Sequence, residues 1–298
     1  MWSWHIWVWE DDLTPVELTN HYGVEYNILP YNLGSKWDDS SKTYIKNWFW
    51  QWGRPNPMLL PVKHDTNMSH LNYGKLPFKT IECADNITEG IKNPTTFYAG
   101  TSNWFKGNSD SKFWDALGSG REDVNTIKTI YDPCPVGYKV PSGNVFTGFT
   151  TTGINTETNS QFNIVGSFNK GYKFKRNYSD ILGTFFPASG FRNTYGSILY
   201  TGHYGYIWTS YIGGDLEFSS TKINPTKTDF LTYGFSIRPV SDTGLEGQSK
   251  ITTIRIDQTM LDPEGIITRT EDLGGIEAIR NNSHRYTGTI NNEIMELK

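Results

Sequence analysis

The sequence predicts an α+β fold that is strand-rich and loop-rich, with a few short helices; a pure β-sandwich is the alternative. Three observations predict it. Aromatic residues make up 15 % of the 298 residues, with Trp 11, Tyr 17 and Phe 16, and large rings can fill a core from few positions. Charged residues are only 19 % and hydrophobic residues 36 %, while Gly 29 and many Asn, Ser and Thr give a loop-rich chain. The apolar residues recur as short alternating pieces between turn residues, the pattern of half-buried strands.

Taken in order, residues 1–9 read as a strand. Trp2, Trp4, Ile6 and Val8 share one side and His5, Trp7 and Trp9 the other, so the strand must be covered on both faces. Tyr44 to Arg54 carries a dense ring cluster on a short helix or strand. Residues 55–80 hold Pro55, Pro57, Pro61 and Pro77 and read as loop. Ile87 to Lys92 is at most a helical turn, closed by Asn93-Pro94. Lys112 to Leu117 is a second candidate helix, ended by Gly118-Ser119-Gly120. Tyr131 to Pro141 reads as a rigid turn leading into a strand. Over 144–183, Phe162/Ile164/Val165 and Tyr172/Phe174 read as hairpin strands, and Phe185-Phe186, Tyr206 to Trp208, Leu216 to Phe218 and Phe235 to Arg238 as further short strands.

Composition shifts near residue 241. The segment 241–298 has no Trp, no Phe and one Tyr, too little apolar material for a strong core of its own. It reads as a small appendage, a linker or an oligomerisation element, with a strand at Thr253 to Asp257 and a helix at Glu271 to Arg280. The recognition domain is therefore expected over 1–240.

The net charge of −4 without a basic run disfavours nucleic acid as a partner. No apolar stretch reaches membrane-spanning length. Met1 to Glu10 lacks a basic start and a small-residue cleavage site, so it is not read as a signal peptide. Export then requires an upstream signal or exit inside a virion. Cys83 and Cys134 leave two readings open, a disulfide or two small buried hydrophobes.

Eight words occur in a fixed order: Trp2-Ser3-Trp4-His5-Ile6-Trp7-Val8; Asn32-Leu33-Gly34; Trp50-Gln51-Trp52-Gly53-Arg54; Ile91 to Tyr98; Tyr131 to Pro141; Pro187-Ala188-Ser189-Gly190-Phe191-Arg192; Tyr206 to Ser210; and Tyr233-Gly234-Phe235-Ser236-Ile237-Arg238. Together they resemble the FISUMP (Fibrobacter succinogenes major paralogous) domain of fimbrillin-like surface proteins of Bacteroidota, over about residues 1–240. The closing Gly-Phe-Ser-Ile-Arg pattern also resembles C-type-lectin-like folds. The resemblance implies an extracellular adhesin or fimbrial-tip module with no catalytic residues to carry over. Pro239 stands where the family often has Cys, so a family disulfide there is absent. The 241–298 tail lies outside the family and resembles phage tail-fibre sequences.

The chemistry-bearing residues do not assemble into a catalytic pattern. His64 and His70 have no helical metal spacing, and His5 sits within a Trp-rich strand. Cys134 lies between prolines without a nearby His. Asp11-Asp12 and Asp38-Asp39 read as solvated loop charge, and a glycosidase needs two convergent carboxylates. Asp262 to Gly265 lacks calcium-loop spacing, and Gly118 to Arg121 lacks the phosphate-loop Lys-Ser/Thr. No cofactor or metal is expected.

The stretch Asn193 to Phe230 differs, because it mixes tyrosines with Gly, Ser, Thr and Asn, as binding surfaces do. Its ligand-binding candidates are Asn193, Tyr195, Tyr200, His203, Tyr204, Tyr211 and Asp215. Tyr206 and Trp208 share one strand parity and are expected to point inward. The same composition also fits tyrosines that merely cover the core. The expected function is non-catalytic binding of a glycan or a surface protein. The alternative is a receptor-binding or decoration component of a phage tail, assembled through 241–298.

Overall fold

The computed structural model describes residues 14–38, 43–45, 48–59, 79–107, 112–122, 125–242, 276–277, 286–290 and 293–297. The strand expected over 1–9, His5, Asp11, Asp12, Asp39, His64, His70, Asp262 to Gly265 and the strand expected at Thr253 to Asp257 lie outside these residues. The chain divides into two compact units, Met1–Asp242 and Thr243–Lys298.

The first unit is strand-rich. β1 (Val16–Thr19) and β2 (Glu25–Ile28) form a hairpin, as do β3 (Lys36–Asp38) and β4 (Thr43–Ile45). The ring cluster forms β5 (Trp48–Gln51), paired with β6 (Met58–Leu59). β7 (Lys79–Ile81) and β8 (Thr96–Tyr98) run parallel on either side of α1 (Ile87–Lys92). β9 (Tyr138–Lys139) follows the Asp132 turn. Next come β10 (Ile164–Val165), β11 (Gly171–Phe174), β12 (Thr184–Pro187), β13 (Phe191–Arg192) and β14 (Ile198–Leu199). β15 (Tyr204–Trp208), β16 (Gly214–Ser219) and β17 (Lys222–Thr228) form a meander, and β18 (Gly234–Phe235) and β19 (Val240–Ser241) close the unit. The larger sheets have orders β1-β2-β19-β9 and β14-β13-β18-β5-β6, with three-stranded sheets β10-β11-β12 and β15-β16-β17. The two closing strands thus sit inside their sheets.

Local chemistry explains the helix and its missing counterpart. Asn86 caps α1 by accepting the Glu89 amide at 2.9 Å, and Glu89 reaches back to the Asp85 amide. Gly90 lies against Trp104, where a Cβ would meet the ring at 2.2 Å. The helix expected at Lys112 to Leu117 does not form; the segment is a turn. The Asp115 carboxylate accepts the amides of Leu117, Ser119 and Ile127 at 3.1, 2.8 and 2.7 Å. A short acidic side chain that captures nearby amides offers the backbone an alternative to helix.

Two aromatic cores hold the unit. One gathers Trp50, Trp52, Trp104, Trp114, Trp208 and Phe235, and the other Phe146, Phe149, Phe174, Phe186 and Phe218 with Leu18, Ile28 and Val240. Such rings bury roughly 150–250 Å² each, worth about 4–6 kcal/mol before ordering entropy. The buried indoles also bond: Trp52 to the Thr209 carbonyl, Trp104 to that of Trp52, Trp208 to that of Trp50 and Trp114 to that of Tyr131, at 2.7–3.0 Å. Arg54 is fully buried and donates to the carbonyls of Gly90, Asn93 and Thr96 and to the Gln51 side chain. Arg238 likewise serves Asn32, Leu29 and Phe185. Cys83 and Cys134 are free thiols, so no disulfide links them.

In the second unit, β20 (Ile276–Glu277), β21 (Tyr286–Ile290) and β22 (Glu293–Leu297) form an antiparallel sheet. The helix expected at Glu271 to Arg280 therefore gives way to strand at Ile276–Glu277. Gly274-Gly275 just before them weakens helix. Among the described residues no helix is long and apolar enough to cross a membrane.

Candidate functional site

Strand alternation sorts the β15–β17 sheet into two faces. Ile207, Leu216, Phe218 and Ile223 belong to the second core. Tyr206 and Trp208 belong to the first, so their expected inward orientation is what the structure has. Gly205, just before Tyr206, is required as glycine, because a Cβ there would lie 2.1 Å from the Phe218 ring. Glu217 stands opposite Tyr206, and Asp215 between Trp208 and Lys227. The β16–β17 register shifts between Asp215 and Glu217, and this irregularity sets the spacing of the charges that follow.

On the first face the rings form a continuous run. Tyr200 lies 5.2 Å from Tyr204, and Tyr204 stacks on Tyr206 at 6.1 Å. Phe191 lies 5.0 Å from both Tyr206 and Tyr233, and Tyr233 lies 5.5 Å from Phe230. The middle is anchored, with Tyr206 only 6 % exposed, while the ends are open, Tyr200 at 54 % and Phe230 at 48 %.

A row of charges follows the rings. Lys222 Nζ is 2.9 Å from Glu217 Oε2, Lys227 Nζ is 3.0 Å from Glu217 Oε1, and Lys227 Nζ is 2.9 Å from Asp229 Oδ2. The Lys227 ammonium also sits 5.1 Å from the Tyr206 ring centre, and the Tyr206 hydroxyl donates to Glu217. Burial alone would raise the Glu217 carboxyl, but Lys222 and Lys227 outweigh it and hold it below its ordinary range. Burial raises Asp229 despite Lys227, and it raises the Tyr206 phenol, aided by Glu217. Asp215, 1 % exposed, has no hydrogen bond to either carboxylate oxygen among the described residues. Burial, with Asp229 adding like charge, pushes it well above the ordinary carboxylate range.

The sequence-derived candidates fall in four places. Tyr200, His203 and Tyr204 come together in one turn, where the His203 and Tyr204 amides both donate to the Tyr200 carbonyl. Asn193 and Tyr195 occupy the β13–β14 turn. Asn193 Oδ1 accepts the Tyr195 and Ser197 amides at 3.0 and 2.9 Å, so its oxygen is committed to the turn, while Tyr195 is 78 % exposed. Tyr211 lies beyond the other end of β15, its ring 4.9 Å beneath the Arg121 guanidinium. Asp215 is buried and reaches no surface. Sequence reasoning missed Phe191, Lys222, Lys227, Phe230 and Tyr233 as site residues. The parity shared by Tyr204 and Tyr206, and by Asp215 and Glu217, was the available signal, but it needs the strand register to bring in Lys222 and Lys227.

Elsewhere, Cys134 is buried and its thiol is pushed well up by burial and by Asp132. Among the described residues no group of three or more His, Cys, Asp or Glu is placed to hold a metal ion. Comparison of the chain with family models, curated proteins and solved structures found no match.

Proposed function

We propose that the chain is a non-catalytic, extracellular recognition module, with a C-type-lectin-like first unit of the FISUMP kind, that binds a glycan. The observation that carries this reading is the aromatic run from Tyr200 to Phe230, open at both ends and fixed in the middle by Phe191, Tyr206 and Tyr233. Rings held by packing present flat apolar area at little cost in entropy, and the adjacent charges supply hydrogen-bond partners for hydroxyls. A glycan array compares the native chain with Tyr200→Ala/Tyr204→Ala and with Tyr195→Ala. Selective binding that falls by about tenfold or more in the double variant, and less than about threefold in Tyr195→Ala, supports the reading. Binding that survives in a folded double variant counts against it. A surface protein is the other ligand class for the same face, and a pull-down that is lost in the double variant would favour it.

A second reading, a structural component of a phage tail, rests on the Thr243–Lys298 unit with its own three-stranded sheet. Open sheet edges pair readily with other chains. Light scattering separates the readings. A trimer or larger that becomes monomeric when the chain ends at Asp242 favours assembly, and a monomer at both lengths favours the solitary module.

A further inference from the structure

The order of charges beside the rings narrows the ligand further, resting on the glycan-binding reading. Lys222, Glu217, Lys227 and Asp229 alternate in sign, and each neighbouring pair is 2.9–3.0 Å apart. The row therefore sums to zero, and each lysine already faces a carboxylate. An anionic ligand such as a sulfated, uronic or sialylated sugar meets no unshared cation here. A cationic ligand meets no unshared anion in the row, and it would have to displace Lys227 from between Glu217, Asp229 and the Tyr206 ring. A hydroxyl is different, since it accepts from an ammonium and donates to a carboxylate at once. Two neighbouring hydroxyls on one ring can span an adjacent ammonium and carboxylate without breaking the row.

Access agrees with this division of labour. Glu217 is nearly covered, whereas Lys227 and Asp229 keep part of their side chains in solvent, with Phe230 exposed and Tyr233 half-buried next to them. We infer that the Lys227–Asp229 pair, beside the Tyr233 and Phe230 rings, is a subsite for an uncharged pyranose that presents vicinal hydroxyls. The ring stacks on the aromatic side, and its hydroxyls bridge the ammonium and the carboxylate.

The test measures binding of the full chain to neutral, uronic, sulfated and sialylated oligosaccharides between about 50 mM and about 500 mM NaCl. It is repeated with Lys227→Met and with Phe230→Ala, each checked for an unchanged near-UV circular dichroism spectrum. The expected result is a preference for neutral saccharides that changes less than about twofold over the salt range. Both variants should weaken it by about tenfold or more. Preference for an acidic saccharide, with affinity falling steeply as salt rises, would overturn this inference and leave the glycan-binding reading standing. Neutral binding that is untouched in both variants would also overturn it, by placing the sugar elsewhere. Binding of no saccharide in any charge class would sink both. Should Lys227→Met misfold, Asp229→Asn keeps the question open to decision, because it removes one hydroxyl acceptor and must also weaken neutral binding.

Discussion

Tyr200 has a backbone φ of 59°, a left-handed conformation that costs a non-glycine residue about 1–2 kcal/mol. It is held there by the turn that returns the His203 and Tyr204 amides to its carbonyl. Comparing two substitutions that both remove the ring isolates this cost. Tyr200→Gly should be more stable than Tyr200→Ala by about 1 kcal/mol in urea denaturation; equal stabilities would show that the turn relaxes without strain. Asp215 supplies a second test. Its carboxyl titrates well above its ordinary value, so the native state holds the proton more tightly than the unfolded chain does. Its contribution to stability is therefore full below about pH 4 and is lost as pH rises from there through the raised native value. Asp215→Asn should raise stability at pH 7 by about 1–3 kcal/mol and change it little at about pH 3.5. A gain of the same size at both pH values would mean that the proton is not involved.

At the scale of elements, the Trp50-Gln51-Trp52-Gly53-Arg54 word is scaffold. Gln51 donates to the carbonyls of Tyr98 and Thr232 and accepts the Tyr98 amide, so it ties β5 to β8 and to the approach to β18. Burial lowers the Arg54 guanidinium to about 10, so it remains charged at neutral pH, balanced by carbonyl dipoles and by the Tyr98 and Trp104 rings. Arg54→Met should destabilise the unit by more than about 3 kcal/mol, because several buried carbonyls lose their donor together; thermal and urea melts check this. α1 was legible only as a helical turn, through its Asn93-Pro94 stop, which is a local signal. The turn at Lys112 to Leu117 was not, because one carboxylate decides it through the distant Ile127 amide. The site was legible in part for the same reason. Tyr200, His203 and Tyr204 are neighbours in sequence, whereas Lys222 and Lys227 reach Glu217 only through strand register, and burial removes Asp215 from any surface.

For the whole molecule, alternation and turn residues made the strand-rich class readable, and the loss of aromatic residues near 241 lies close to the unit boundary at Asp242. Sheet order was not readable, since β19 belongs between β2 and β9 and nothing near Val240 announces those partners. A chain ending at Asp242 should keep a single cooperative melt within a few degrees of the full chain's first-unit transition. One ending at Pro239, without β19, should lose about 10 °C or more; calorimetry of the two truncations decides.

That sheet order also bears on how the protein is made. Val240 pairs with Ile28 and Phe235 with Trp50, so contacts of very high contact order complete the two largest sheets. A ribosome delivers the receiving strands first and the closing ones last. Until Ser241 has emerged, β2 and β9 cannot be joined, and until Phe235 has emerged β5 lacks the strand that links it to β13. Folding is thereby postponed to the end of synthesis of the first unit and is expected to be slow. The nascent chain, rather than the finished domain, is where this sequence is most exposed to aggregation and most dependent on chaperones.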